Sequence, residues 1–285
     1  MLIFEILKAI ILGIVEGITE WLPVSSTGHM ILVDEFLKLN VSEEFMDMFL
    51  VVIQLGAILS VVVLFWNRLN FISQSKSNEE KRNVIELWIK IIVGALPAGI
   101  VGVGVEILLD DYLDKYLYNY IVVAIALIIY GILFIIIENR NEKKNLPLRA
   151  DSVEAITYID ALKIGSFQIL ALIPGTSRSG STMIGGLVSG VSRVATSEFS
   201  FFMAIPIMLG ASALKLLKFI LGGYILTTNE LLVLMVGLTV SFVISLFSIN
   251  FLLEFVRNHS FKPFGIYRIV LGVVIVAYFL IKTFA

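Results

Sequence analysis

Three runs without a charged residue, 48–66, 116–137 and 231–253, constrain this chain more than any other feature. About 20 apolar residues, rising about 1.5 Å each, cross the roughly 30 Å hydrocarbon core of a bilayer. Within that core each backbone N–H and C=O must find its partner inside the segment, which a helix provides. Three further runs, 87–105, 199–217 and 264–281, are each shortened by a charge near one end, which is expected to snorkel toward the interface. Six spans follow. Composition agrees: 58% of the 285 residues are hydrophobic and 15% charged, against about 25% charged in soluble domains, and the mean hydropathy is +0.97. The expected fold is an all-α polytopic membrane protein forming one domain over 1–285. Its start carries Glu5 and Glu16 and no basic stretch or small-residue cleavage site, so it is not expected to be a removable signal peptide. With no cysteine, disulfides, thiolate metal sites and cysteine nucleophiles are excluded. The net charge of −2 says little about partners, and with no large basic block nucleic acid is not expected among them.

Two apolar stretches, 9–33 and 164–191, are interrupted by Pro, Gly, Ser and ionisable residues and do not read as ordinary spans. Lys and Arg gather in the connections 67–90, 138–163 and 257–262, which the positive-inside rule makes cytoplasmic. The connections 34–47 and 106–115 are mostly acidic and are assigned to the outer side. With six crossings, 9–33 must then enter and leave from outside, and 164–191 from the cytoplasm. Both are read as re-entrant hairpins whose tips line a common polar cavity. Anchored on proline, 21–29 (WLPVSSTGH) lies over 172–180 (LIPGTSRSG), with Ser25 over Thr176 and Ser26 over Ser177. The expectation is an inverted repeat, about 1–138 and about 160–285, joined by a cytoplasmic loop of about 139–163. That plan is common in transporters, so it points to transport as readily as to catalysis.

Glu16 and Glu20 are one turn apart on one helix face. An intramembrane charge costs at least about 2.5–3.5 kcal/mol on insertion scales, so the pair requires a shared divalent cation, a shared proton, or a cation from the other hairpin. Otherwise it marks a wet helix end. Pro23 then stops the helix ahead of Ser25, Ser26, Thr27, Gly28 and His29. Hydroxyls ahead of a new helix cap it, and the same geometry binds phosphate at the free N–H groups. His29 lies within a turn of those hydroxyls and is suited to proton transfer near neutral pH, although a lone histidine is often structural. The second hairpin carries Ser177, Arg178 and Ser179. The fork of Arg178 matches phosphate oxygens, and the same charge could instead neutralise Glu16 or Glu20. Trp66, Trp88 and the tyrosines of 116–120 sit at span ends and read as interface anchors.

The strings GIVEGITEWLPVSSTGHM, PGTSRSGSTMIGG and SRVATSEFSFFMAIP resemble the signature regions of the undecaprenyl-diphosphatase, or bacitracin-resistance, family, and the similarity covers essentially the whole chain. The resemblance implies hydrolysis of the lipid carrier diphosphate to the monophosphate reused in cell-wall synthesis, in the bacterial cytoplasmic (inner) membrane. It also implies a divalent cation, Mg or Ca, and a fold of six spans and two re-entrant hairpins. The family's acidic motif falls on Glu16 and Glu20, its Ser/His motif on Ser26 and His29, and its arginine motif on Ser177 and Arg178. The expected assignment makes Ser26, His29 and Glu20 catalytic: Ser26 attacks with His29, the favoured base, or Glu20 activating it, while attack by His29 itself or by an activated water stays open. Glu16 and Glu20 hold the cation, and Arg178, Ser177, Ser25, Thr27 and Ser179 hold phosphate. The expected partners are a polyprenyl diphosphate lipid, the membrane and, as an open question of assembly, a homodimer. The alternatives are a transporter or flippase of an anionic lipid and a membrane scaffold or receptor whose polar turns are structural, and the site is expected to open to the outer, periplasmic side.

Overall fold

A stretch with no interior breaker extends as helix until its cap, and most elements follow that rule. The structure, a computed structural model, describes residues 2–117, 119–144 and 148–284. Among these, α1 (Leu2–Thr19) and α2 (Ser26–Phe36) flank the first polar turn. Next come α3 (Glu43–Val52) and α4 (Gln54–Leu64), joined through Ile53 in right-handed helical conformation, and the short α5 (Trp66–Leu69). α6 (Asn78–Tyr116) and α7 (Tyr120–Lys144) complete the first half. α8 (Tyr158–Gln168), a 3₁₀ turn (Ile169–Leu172) and α9 (Arg178–Val188) carry the second polar turn. The chain finishes with α10 (Arg193–Leu221), α11 (Thr228–Asn258) and α12 (Lys262–Phe284). No named strand occurs among the described residues.

Six helices are long and apolar enough to cross a membrane: Glu43–Leu64, Asn78–Val105, Tyr120–Lys143, Arg193–Leu221, Thr228–Asn258 and Lys262–Thr283. Four of them contain an expected run entire, Glu43–Leu64 and Tyr120–Lys143 cover all but one end of theirs, and polar side chains cap the starts of three. Ser42, Ser192 and Thr227 accept the backbone N–H three residues on, and Thr227 closes a capping box with Glu230. The acidic connection 106–115 is instead a continuation of α6, because no Gly or Pro interrupts it between Val105 and Tyr116. The central loop is likewise shorter than 139–163, since α7 reaches Lys144 and α8 starts at Tyr158. Residues 145–147 of that loop and Tyr118 among the expected interface tyrosines lie outside the described residues.

Small residues let helices approach closely where lipid supplies no hydrophobic drive between them. α6 and α8 touch at Gly94 and Gly165, where a Cβ on Gly165 would lie 1.8 Å from the Gly94 carbonyl oxygen. α7 and α12 touch at Gly131 and Gly265 in the same way. The first contact brings the short α8 against α6, and the second joins two long helices. The largest apolar core, around Trp21, Phe199, Phe201 and Phe202, then lies next to both polar turns.

Candidate active site

Both polar turns end in a serine that caps the next helix from a left-handed backbone. Ser25 and Ser177 each have φ of +73°, the only positive values outside glycine among the described residues. The Ser25 hydroxyl accepts from the Gly28 N–H at 3.3 Å, and that of Ser177 from the Gly180 N–H at 3.1 Å. The structural register therefore pairs Ser25 with Ser177, one residue away from the proline-anchored alignment. The reason is local: two residues separate Pro174 from its cap, but only Val24 separates Pro23 from Ser25.

Glu16 and Glu20, at the end of α1 and just beyond it, are buried at 1% and 7% exposure. Arg178, the first residue of α9, grips Glu20 Oε1 through Nε at 3.2 Å and Nη2 at 3.1 Å. Its Nη1 donates to the Ser200 carbonyl at 2.8 Å, and its guanidinium lies 5.5 Å from the Trp21 ring centre. Ser26 donates to the other carboxylate oxygen, Glu20 Oε2, at 3.0 Å. Ser179 donates to the Leu22 carbonyl at 3.2 Å, a second link between the turns. Ser26, Glu20 and Arg178 thus form one hydrogen-bonded chain assembled from both polar segments.

A cavity of about 410 Å³ opens beside this chain, with Glu20, Ser26, Thr27, Ser177 and Arg178 on its wall. Its apolar side is built from α6 and α10 around Gly99, Gly102, Pro206 and Ile207. Glu16, Ser25, His29 and Ser179 do not line it; Ser25 and Ser179 act instead on the backbone of the turns.

His29 is not brought to Ser26. Its Nδ1 lies 2.7 Å from the Ser25 carbonyl and its Nε2 2.7 Å from the Tyr267 hydroxyl, with the two rings stacked 5.6 Å apart. A carbonyl only accepts, so in the neutral ring Nδ1 carries the proton and Nε2 accepts from Tyr267. The expected Ser26–His29 pair is replaced by Ser26–Glu20, since both ring nitrogens of His29 are taken by the Ser25 carbonyl and the Tyr267 hydroxyl.

The acidic pair fits a hard divalent cation. Glu16 Oε1 is buried without a hydrogen-bond partner, and it sits one turn from a second carboxylate. Oxygen donors of this kind suit Mg or Ca, with phosphate and water completing the shell. No group of three or more His, Cys, Asp or Glu side chains able to hold a metal occurs among the described residues, so any cation would draw most of its ligands from elsewhere.

Sequence reasoning missed Arg268. It was expected to snorkel from the last span, yet it is fully buried and donates to Pro23 O at 3.1 Å, Gly175 O at 2.9 Å and Thr176 O at 2.8 Å. It ties the two turns to each other by their carbonyls. The signal was present, since an arginine inside an apolar run is costly unless it faces the bundle interior. Ser200, which meets Thr182 at 2.6 Å as well as Arg178, carried no comparable signal.

The model of the family described as bacitracin resistance protein BacA matches residues 9–274. An undecaprenyl-diphosphatase of Desulfitobacterium hafniense is 55% identical over 284 residues, covering 99% of each chain. One of Enterococcus faecalis is 57% identical over 274 residues, covering 95% of this chain and 96% of that one. A third, of Acetivibrio thermocellus, is 54% identical over 276 residues, covering 97% of this chain and 98% of that one. With the matched region spanning both polar turns, five of the six apolar helices and the first half of the sixth, the chain belongs to the bacitracin resistance protein BacA family.

Proposed function

We propose that this protein hydrolyses undecaprenyl diphosphate to undecaprenyl phosphate and inorganic phosphate, returning the lipid carrier to cell-wall synthesis and thereby conferring bacitracin resistance. The observation that carries the mechanism is the Ser26–Glu20–Arg178 chain on the wall of a cavity with one polar and one apolar side. The prenyl tail stays in lipid, and the diphosphate enters beside Arg178. Phosphate oxygens compete with Glu20 for the guanidinium fork. As Arg178 turns to them, Glu20 keeps the hydrogen bond that Ser26 donates to it. Ser26 Oγ then attacks the terminal phosphorus and passes its proton to Glu20. The bond to the bridging oxygen breaks and undecaprenyl phosphate leaves. Water next cleaves the phosphoserine, giving inorganic phosphate and regenerating the hydroxyl. Ser177, Thr27 and the N–H groups of the turns add hydrogen bonds to phosphate as charge shifts to the leaving oxygen. Ser25 and Ser179 hold the turns that present them. A divalent cation, Mg or Ca, held by Glu16 and Glu20, would supply charge neutralisation on the diphosphate. His29 serves by holding the start of α2 between the Ser25 carbonyl and Tyr267.

The same reading makes the polar segments 9–33 and 164–191 re-entrant, in an inverted repeat of about 1–138 and about 160–285 within a bacterial inner membrane. Their matched left-handed caps support the repeat. An outward-facing site is supported by the cavity wall, whose α6 and α10 positions lie beyond Pro97 and at or beyond Pro206, toward the ends assigned to the outer side.

Purified protein in detergent should release phosphate from a prenyl diphosphate, a reaction that needs no second compartment, whereas transport does. Ser26→Ala should lower kcat by roughly 10²–10⁴-fold and abolish trapping of labelled phosphate on the protein. Hydrolysis at the wild-type rate by that variant would remove Ser26 as the nucleophile.

A further inference from the structure

Gln168 closes α8 just before the 3₁₀ turn and is 2% exposed. It stands on the wall of the cavity with Glu20, Ser26, Ser177 and Arg178. Neither its side-chain oxygen nor its nitrogen has a hydrogen-bond partner among the described residues. An amide offers two donor hydrogens and an acceptor oxygen, and buried polar groups are nearly always paired because leaving them unpaired costs stability. A structural role for this amide would show as a bond to the backbone at the end of α8. That backbone is satisfied without it, since the Ile169 N–H turns to the Phe167 and Ser166 carbonyls.

We infer that Gln168 is a substrate-binding residue, its side-chain NH₂ donating to a phosphate oxygen of the bound diphosphate. The inference rests on the hydrolase reading and deepens it. Arg178 is already shared with Glu20 and Ser200, so a second donor of different character completes the phosphate's coordination. An uncharged donor suits the place: another cation would pair permanently with Glu16 or Glu20, whereas an amide stays available until substrate arrives. Unpaired polar groups beside a cavity of this kind are the trade of stability for function expected at a binding site.

The test compares wild type, Gln168→Met and Gln168→Glu, purified in detergent, with farnesyl diphosphate as the probe. Gln168→Met keeps length and removes the polar atoms. Its KM should rise by roughly tenfold or more, the loss of one hydrogen bond to a charged group, with a smaller change in kcat. Its melting temperature should equal or exceed that of wild type, because an unpaired buried amide has gone. Gln168→Glu should bind the probe more weakly still, since it sets a carboxylate against phosphate. KM and kcat of Gln168→Met within about twofold of wild type would overturn the inference alone. A melting temperature several degrees below wild type would also overturn it, by showing that the amide is paired in the free protein. A wild type that releases no phosphate would overturn the hydrolase reading and this inference together.

Discussion

Arg178 has five N–H groups, and three of them are directed at Glu20 and the Ser200 carbonyl. The remaining two, one on each terminal nitrogen, are what a phosphate could take before Glu20 is displaced; the Ser200 hydroxyl at 3.5 Å from Nη1 is a weak competitor. This shared fork makes the residue more than a counter-ion. Arg178→Lys retains the charge but not the two parallel bonds, so kcat/KM for a prenyl diphosphate should fall by roughly 10–100-fold, measured by phosphate release at fixed pH. Turnover equal to wild type would leave Arg178 as a neutraliser of Glu20 only. Arg268 is a positioning residue of another kind, because it meets backbone carbonyls and no carboxylate. Arg268→Met strands buried acceptors at roughly 1–3 kcal/mol for an unsatisfied group. Thermal unfolding in detergent should rank wild type above Arg268→Lys and Arg268→Met lowest; equal melting temperatures would contradict the staple. The identities of Glu16, Glu20, Ser26 and Arg178 were legible in the sequence, because charge and hydroxyl clusters are rare in apolar stretches. Their partners were only partly so: Arg178 with Glu16 or Glu20 was one open option. Ser26 meets Glu20 and not His29, whose ring nitrogens are held by the Ser25 carbonyl and Tyr267.

At the scale of elements, close glycine contacts decide how the short helices sit against the long ones. Gly165→Ala would place its Cβ 1.8 Å from the Gly94 carbonyl oxygen, so α8 must move away from α6 and carry the second polar turn with it. The expected loss is about 1–3 kcal/mol of stability, with a fall in activity, read from melting temperature and phosphate release. Gly104→Ala is the contrast, since nothing lies within 4 Å of its added Cβ. There the gain in helix propensity should leave the protein neutral or stabilised by up to about 1 kcal/mol. If both variants behave alike, the α6–α8 contact does not set the position of the turn. The existence of each long helix was evident from apolar run length. Their ends were less so: α6 passes through an acidic stretch that looked like a connection because its charge, and not its lack of breakers, was weighed.

For the whole molecule, the charge pattern predicts which face each connection occupies. The chain has no cysteine, so single cysteines can be placed cleanly. In intact cells Lys38→Cys should react with a membrane-impermeant maleimide, while Ser75→Cys should react only after permeabilisation; the reverse labelling would invert the proposed orientation. By itself the sequence determined the membrane environment, the helical class, the six spans and the two polar segments that break the pattern. Those properties follow from run length and composition, which lipid reads directly. Tertiary structure alone decided the rest: that Glu20 bridges Ser26 and Arg178 from opposite halves, that His29 turns to Tyr267, and that Arg268 joins both turns from the last helix. Each of these contacts joins residues whose meeting depends on helix rotation and packing depth, and a hydropathy pattern records neither.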